Sequence, residues 1–231
     1  MDATTPVLLA AVAFVGTHLL MSHPLRRPLV QALGEPAFAG LYSAVALATL
    51  VWLVFAYYTA PATAPLWAVG NVLWAVVTIL MLLASVLLMG SIAGNPALPS
   101  PGAARRVPLQ ARGVFAVTRH PMMWAVALWG VCHIAVYPVG KNIVVAASMI
   151  VLALVGAASQ DRKKQRLQPK SWPGWEQRTS YWPFAAVLSG RARLGGLGMH
   201  ALGGGLVVWL AATWAHIPLG GWAAGIWRWI L

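Results

Sequence analysis

Apolar residues run through this chain in long blocks, near 6–22, 37–58, 66–90, 117–137, 141–160 and 199–217. Each block is close to the ~20 residues that a helix needs to cross a bilayer. Breaker-rich linkers stand between them, APATAP at 60–65, NPALPSPG at 95–102 and the Pro/Trp stretch at 169–174. The pattern predicts an all-α polytopic membrane helical bundle of about six transmembrane helices. Residues 220–231 form a further apolar stretch, too short to span once Gly221 is set aside. We expect a short C-terminal interfacial helix there, anchored by Trp222, Trp227 and Trp229. No linker marks a second domain, so 1–231 reads as a single integral membrane domain.

Composition sharpens the class. At 60% hydrophobic and 9% charged residues over 231 positions, with a mean hydropathy of +0.73, the chain has too little polar surface to coat a water-soluble globule. Its natural surroundings are a lipid bilayer. Several of the 13 tryptophans, Trp67, Trp172 and Trp182 among them, fall near expected helix ends, where the headgroups lie. The net charge of +12 sits in short loops: Arg26 and Arg27 after the first span, Arg105, Arg106, Arg112 and Arg119 after the third, and Arg162, Lys163, Lys164, Arg166, Lys170, Arg178, Arg191 and Arg193 after the fifth. Only Lys141 and Arg228 fall on the other side. Such bias marks cytoplasmic loops, so nucleic acid is not the expected partner, and both termini should face away from the cytoplasm. The first segment carries no small-residue cleavage site and reads as a retained span.

Candidate chemistry centres on RHPMMWAVALWGVCHI, residues 119–134. Pro121 suits a first helical turn, so a helix should begin here, with His120 at its wet start and His133 deep inside. The thirteen steps between the two imidazoles amount to about 20 Å and a rotation of roughly 220°, so they do not readily share a metal. Gly130 and Trp129 precede His133 by three and four positions, a gap beside an aromatic wall that suits a planar cofactor. The competing reading is an ordinary small-residue helix contact, and plain packing also explains the glycines at 195–205.

Of six histidines, His18, His133 and His216 fall within or near the ends of spans, while His23, His120 and His200 fall at the boundary. A structural imidazole bonded to a backbone carbonyl competes with a ligand role at each, most strongly at His200 and His216. The four acidic residues, Asp2, Glu35, Asp161 and Glu176, lie outside the expected spans, which argues against a buried carboxylate dyad or a serine hydrolase triad. The lone Cys132 excludes an internal disulfide, a cysteine zinc cluster and haem attached through C-x-x-C-H. Neutral histidines remain, and two from different helices can clamp a non-covalent haem b, each needing an acceptor for its other N–H. Arg26, Arg27, Arg112 or Arg119 would then pair with the propionates.

Four runs, GVFAVTRHPMMWAVALWGVCHI, GTHLLMSHPLRRPL, GEPAFAGLYSAVAL and SYWPFAAVLSGR, resemble the NnrU family of membrane proteins along nearly the whole chain. The resemblance implies a bacterial inner-membrane protein linked to denitrification and nitric oxide metabolism, and a likeness to 15-cis-zeta-carotene isomerase, a haem b membrane enzyme acting on a hydrophobic polyene. It implies a cofactor site of His18, His133, Arg119, His120, Trp129 and Gly130, with His18 and His133 as the axial pair between the first and fourth spans. Where that isomerase has a cysteine three residues before its later histidine, this chain has Gly130. A broader likeness runs from Gly113-Val114-Phe115 through Arg119-His120-Pro121 and Asp161-Arg162-Lys163 to Trp175-Glu176. It is similar to isoprenylcysteine carboxyl methyltransferases, which bind S-adenosylmethionine. A third class is a non-catalytic membrane factor that assists assembly or haem supply of a respiratory reductase.

Overall fold

The structure, a computed structural model, describes residues 4–61, 63–98, 107–108 and 110–231. Arg105, Arg106, Asp2 and part of the 95–102 linker lie outside the described residues. Among those described, every regular element is helical. In chain order they are α1 (Thr5–Ser22), α2 (Arg26–Leu33), α3 (Glu35–Thr59), α4 (Asn71–Gly90), α5 (Val114–Val117), α6 (Pro121–Val136), α7 (Gly140–Leu167), α8 (Trp172–Arg178), α9 (Ala185–Leu188), α10 (Met199–Gly220) and α11 (Trp227–Ile230).

Five of these helices, α1, α3, α4, α7 and α10, are long and apolar enough to cross a membrane. The sixth expected span, α6, is a 16-residue apolar helix, about 24 Å long at 1.5 Å per residue. The chain is an integral membrane helical bundle. The long helices pack in the sequence α3, α1, α7, α6, α4, α10, each against its neighbours. α3 and α10 close the two ends of this row and are the least covered. Their outward residues, Leu47, Phe55 and Val207, are more than 60% exposed, as a lipid-facing surface requires.

Small residues set how closely the helices approach. Ala10 and Ala11 of α1 lie against Leu53 and Ala56 of α3 in one buried cluster. A Cβ on Gly205 of α10 would sit 2.7 Å from the Val86 Cα of α4, so only glycine permits that crossing. Gly130 of α6 meets α7 in the same way, 2.9 Å from the Ala146 carbonyl oxygen and 2.6 Å from Ile150 Cγ1. The space expected beside it for a planar cofactor is filled by the neighbouring helix.

Both ends of the bundle are tied by polar contacts. At one, Lys141 Nζ donates to Tyr57 O and Ala60 O at 3.1 and 3.0 Å, the Trp67 indole donates to Ala135 O at 3.0 Å, and Asn142 donates to His133 O at 2.9 Å. The C-terminal segment folds back here. Gly221 and Gly225 take positive φ of 73° and 58°, so only Trp227–Ile230 is helical. Trp222 packs on Trp74 with ring centres 5.7 Å apart, and the Trp227 indole donates to Leu210 O at 3.1 Å. The expected surface helix is thus shortened to four residues, with its tryptophans partly turned onto the bundle. At the other end lie α2, α5, α8, α9 and, among the described residues, all the Lys and Arg except Lys141 and Arg228. The start of α1 and the C-terminal residues are at the end opposite this charge.

Candidate functional site

α6 carries a polar cluster at each end, and the two are unlike. At its start, His120 caps the helix with Pro121 in the first turn. The expected wet start is closed: His120 is 2% exposed, because the chain after α8 returns over it. Arg119 N donates to Ser180 O at 2.8 Å, Phe184 N donates to Val117 O at 2.7 Å, and the Trp124 indole donates to Tyr181 O at 2.9 Å. The turn that allows this is Phe184, the one described non-glycine residue with positive φ.

Beneath that cover, Asp161 is buried, although it lies outside the expected span. α7 runs on to Leu167, past the expected limit at 160, and carries Asp161 inward. Its Oδ1 accepts from His120 Nε2 at 2.7 Å, and its Oδ2 accepts from Arg119 Nε at 2.8 Å, with Arg119 Nη2 at 2.6 Å. Arg119 also reaches Glu176 at 3.8 Å, whose carboxylate holds Gln165 at 2.9 and 3.0 Å. Tyr181 lies edge-on to His120 at 5.9 Å and donates to Leu154 O at 2.7 Å. Burial, then the Asp161 charge, push its phenol above the ordinary value, with Arg119 opposing, so that donor persists well above neutral pH. Both polar side chains of the Arg-His-Pro motif are therefore satisfied internally. Arg119 meets carboxylates where a haem propionate was expected to bind.

At the far end of α6, the His133 ring packs on Trp129 with centres 4.2 Å apart, and its Nδ1 donates to Trp129 O at 2.8 Å. The imidazole facing it is His216 of α10, with ring centres 6.1 Å apart and planes 32° apart. The His216 Nδ1 donates to Ala212 O at 2.8 Å, and Trp222 stands edge-on at 5.1 Å. With Nδ1 carrying the proton in both rings, each Nε2 presents a lone pair. α6 and α10 both pack on α4, and the two histidines meet along that shared helix. A cavity of about 30 Å³ adjoins them, lined by Trp74, Thr78, Thr213 and Trp222. Cys132 is buried against α4 with Trp74 and Val77, not in the space between the imidazoles.

His18 is elsewhere. Its Nδ1 donates to Phe14 O at 2.7 Å, and its ring faces Phe14 and Tyr42 at 4.3 and 5.6 Å. The start of α1 lies beside the start of α7, where a Cβ on Gly140 would meet Thr4, so His18 is near the charged end and His133 near the opposite one. At 1.5 Å per residue, about 15 Å separates them along the bundle axis. The structure does not bring together the pair expected from the sequence; it pairs His133 with His216. Arg26 is bonded to Glu35 and Arg112 to Gln110 at 2.7 and 3.0 Å, and both lie at the charged end, as does Arg27. At the end that holds the imidazole pair, Arg228 lies over the Trp74 ring at 4.6 Å. A parity argument could have found His216: both it and His133 lie within four residues of the ends of the expected sixth (199–217) and fourth (117–137) spans, and even-numbered spans run the same way.

Among the described residues, no group of three or more His, Cys, Asp or Glu gathers. A facing imidazole pair is the donor set present, and it suits an iron whose remaining positions are filled by a macrocycle. Comparison with known proteins gives a family match and partial relatives. The model of the NnrU protein family matches residues 6–224. The chain is also 33% identical over 84 residues to the chloroplastic 15-cis-zeta-carotene isomerase of Zea mays, covering 36% of this chain and 22% of that protein. The corresponding isomerase of Arabidopsis thaliana is 32% identical over 81 residues, covering 34% and 22%. The matched part is thus about a fifth of the length of these relatives. No solved structure matches the chain.

Proposed function

Because the chain belongs to the NnrU family, we propose that it is a haem b protein of the membrane, acting on a hydrophobic substrate of polyene type as the isomerases it resembles are named for doing. The observation that carries this reading is the His133–His216 pair. His133 and His216, with ring centres 6.1 Å apart, would hold the group through their Nε2 atoms. Each ring has its N–H anchored on a carbonyl of its own helix, which fixes the tautomer and aims the free nitrogen. Haem held there would supply a redox-active iron.

The chain's own residues would do the rest. Trp129 and Trp222 hold the rings in place, Arg228 offers a cation for a propionate, and α4, α6 and α10 keep water from the site. The adjoining cavity holds about one water, so α6 and α10 must part to seat a macrocycle, opening toward the lipid from which an apolar substrate would also arrive. The methyltransferase reading needs Arg119 and His120 free for a charged cofactor, and both are bound to Asp161. The charge distribution supports an inner-membrane protein with both termini outside the cytoplasm.

The test is the absorption spectrum of detergent-purified protein, oxidised and reduced. His133→Ala and His216→Ala are each expected to convert a low-spin haem spectrum to high-spin or to lower haem content. His18→Ala is expected to leave it unchanged. If the first two variants keep a low-spin spectrum at full occupancy, the ligation is wrong. Loss confined to His133→Ala and His18→Ala would restore the ligand pair read from the sequence.

A further inference from the structure

A cavity larger than the one at the histidine pair lies elsewhere in the molecule. It lies at the charged end, between the α1–α2 junction and the last turns of α7, with a volume of about 620 Å³. Its wall carries His23, Arg26, Arg27, Arg162, Lys163 and Arg166. Against these stands one carboxylate, Glu35, and it is bonded to Arg26. Arg27, Arg162, Lys163 and Arg166 have no hydrogen-bond or ion-pair partner among the described residues. Asp161, though adjacent in sequence to Arg162, is committed to Arg119 and His120 and does not line the cavity. The crowding is felt by the one neutral base present: burial, then the Lys163 charge, hold the His23 imidazole below its ordinary value.

Like charges gathered around a cavity repel one another, and surface cations normally spread or pair. Arg27, Arg162 and Arg166 are exposed to solvent, and a concave site lined by such cations attracts an anion. Its volume exceeds what a single small anion fills, and Ser159 adds a hydroxyl donor to the wall. Its depth is set by the helices. α1 ends at Ser22, and the apolar part of α7 gives way to charge at Asp161, so the cavity sits at headgroup level. Leu20, Leu25 and Leu167 around it are 51%, 44% and 62% exposed, an apolar rim for acyl chains.

We propose that this cavity binds a phosphate-bearing anion, presented at this depth by the headgroup of an anionic phospholipid. Guanidinium groups chelate phosphate oxygens in two-point fashion, and Arg27, Arg162 and Arg166 supply three. The site is independent of the haem reading, since the histidine pair lies at the opposite end.

The experiment uses the full chain in mild detergent. Native mass spectrometry follows incubation with phosphatidylglycerol against phosphatidylcholine, and a parallel arm titrates inorganic pyrophosphate calorimetrically. Preferential retention of phosphatidylglycerol is expected, falling on the order of a hundredfold in affinity when Arg27, Arg162 and Arg166 are all changed to Ala, at about fivefold per cation. Arg193→Ala, a basic residue outside the cavity, should change nothing. Binding of pyrophosphate without lipid preference would assign the same site to a soluble phosphate source. Retention of neither ligand, or equal loss in the Arg193→Ala control, overturns the proposal.

Discussion

Asp161 shows most clearly what a single residue does here. It is one of four acidic residues and accepts from both Arg119 and His120 while buried. Removing one partner of such a group leaves the others desolvated without compensation, at about 3–5 kcal/mol. Asp161→Ala should therefore lower the detergent unfolding temperature more than any single change at Arg27 or Arg193. Tyr181→Phe, which loses one neutral hydrogen bond to Leu154 O, should cost only about 1 kcal/mol. Thermal unfolding followed by tryptophan fluorescence ranks the three. The sequence names every member of this cluster yet hides their union, because Arg119, Asp161 and Tyr181 lie far apart along the chain. Their meeting depends on how far α7 extends and on where residues 180–184 return. The histidines are similar: each is visible in the sequence, but which two face each other follows from span parity and from α4 lying between α6 and α10.

At the scale of elements, hydropathy was enough to place the long helices, since burial in lipid demands continuous apolar runs, but not the charged extension of α7 to Leu167. Nor could it place the short pieces. α2, α5, α8 and α9 are set by tertiary contact, as where Trp172 and Trp175 are fully buried against Val114 and Phe115. The glycines divide in a way that only packing reveals. At Gly205 an added Cβ strikes the α4 backbone, whereas at Gly203 it meets nothing within 4 Å. Gly205→Ala should destabilise by about 1–3 kcal/mol through overpacking, and by wedging α10 off α4 should also disturb the His133–His216 pair. Gly203→Ala should be neutral or stabilise by up to about 1 kcal/mol through helix propensity. Unfolding midpoints of the two variants, measured side by side, check the contrast.

For the molecule as a whole, charge and aromatic contacts give the two ends different characters. The end with α2, α8 and α9 carries the basic residues. The other carries the start of α1, the histidine pair and the folded-back tail. Reporter fusions at Gly190 and after Leu231 should accordingly report opposite compartments, the first cytoplasmic; a shared compartment would mean that one of the helices read as spans does not cross. The Asp161 cluster also has a consequence for how the protein is made. α6 is the shortest of the six long helices, and it leaves the ribosome with Arg119 and His120 at its leading edge and their partner Asp161 not yet synthesised. Asp161 emerges some forty residues later, and the covering segment at 180–184 later still. α6 and α7 are thus suited to enter the bilayer as a hairpin, with final seating of α6 deferred until translation has delivered the carboxylate that neutralises its entrance.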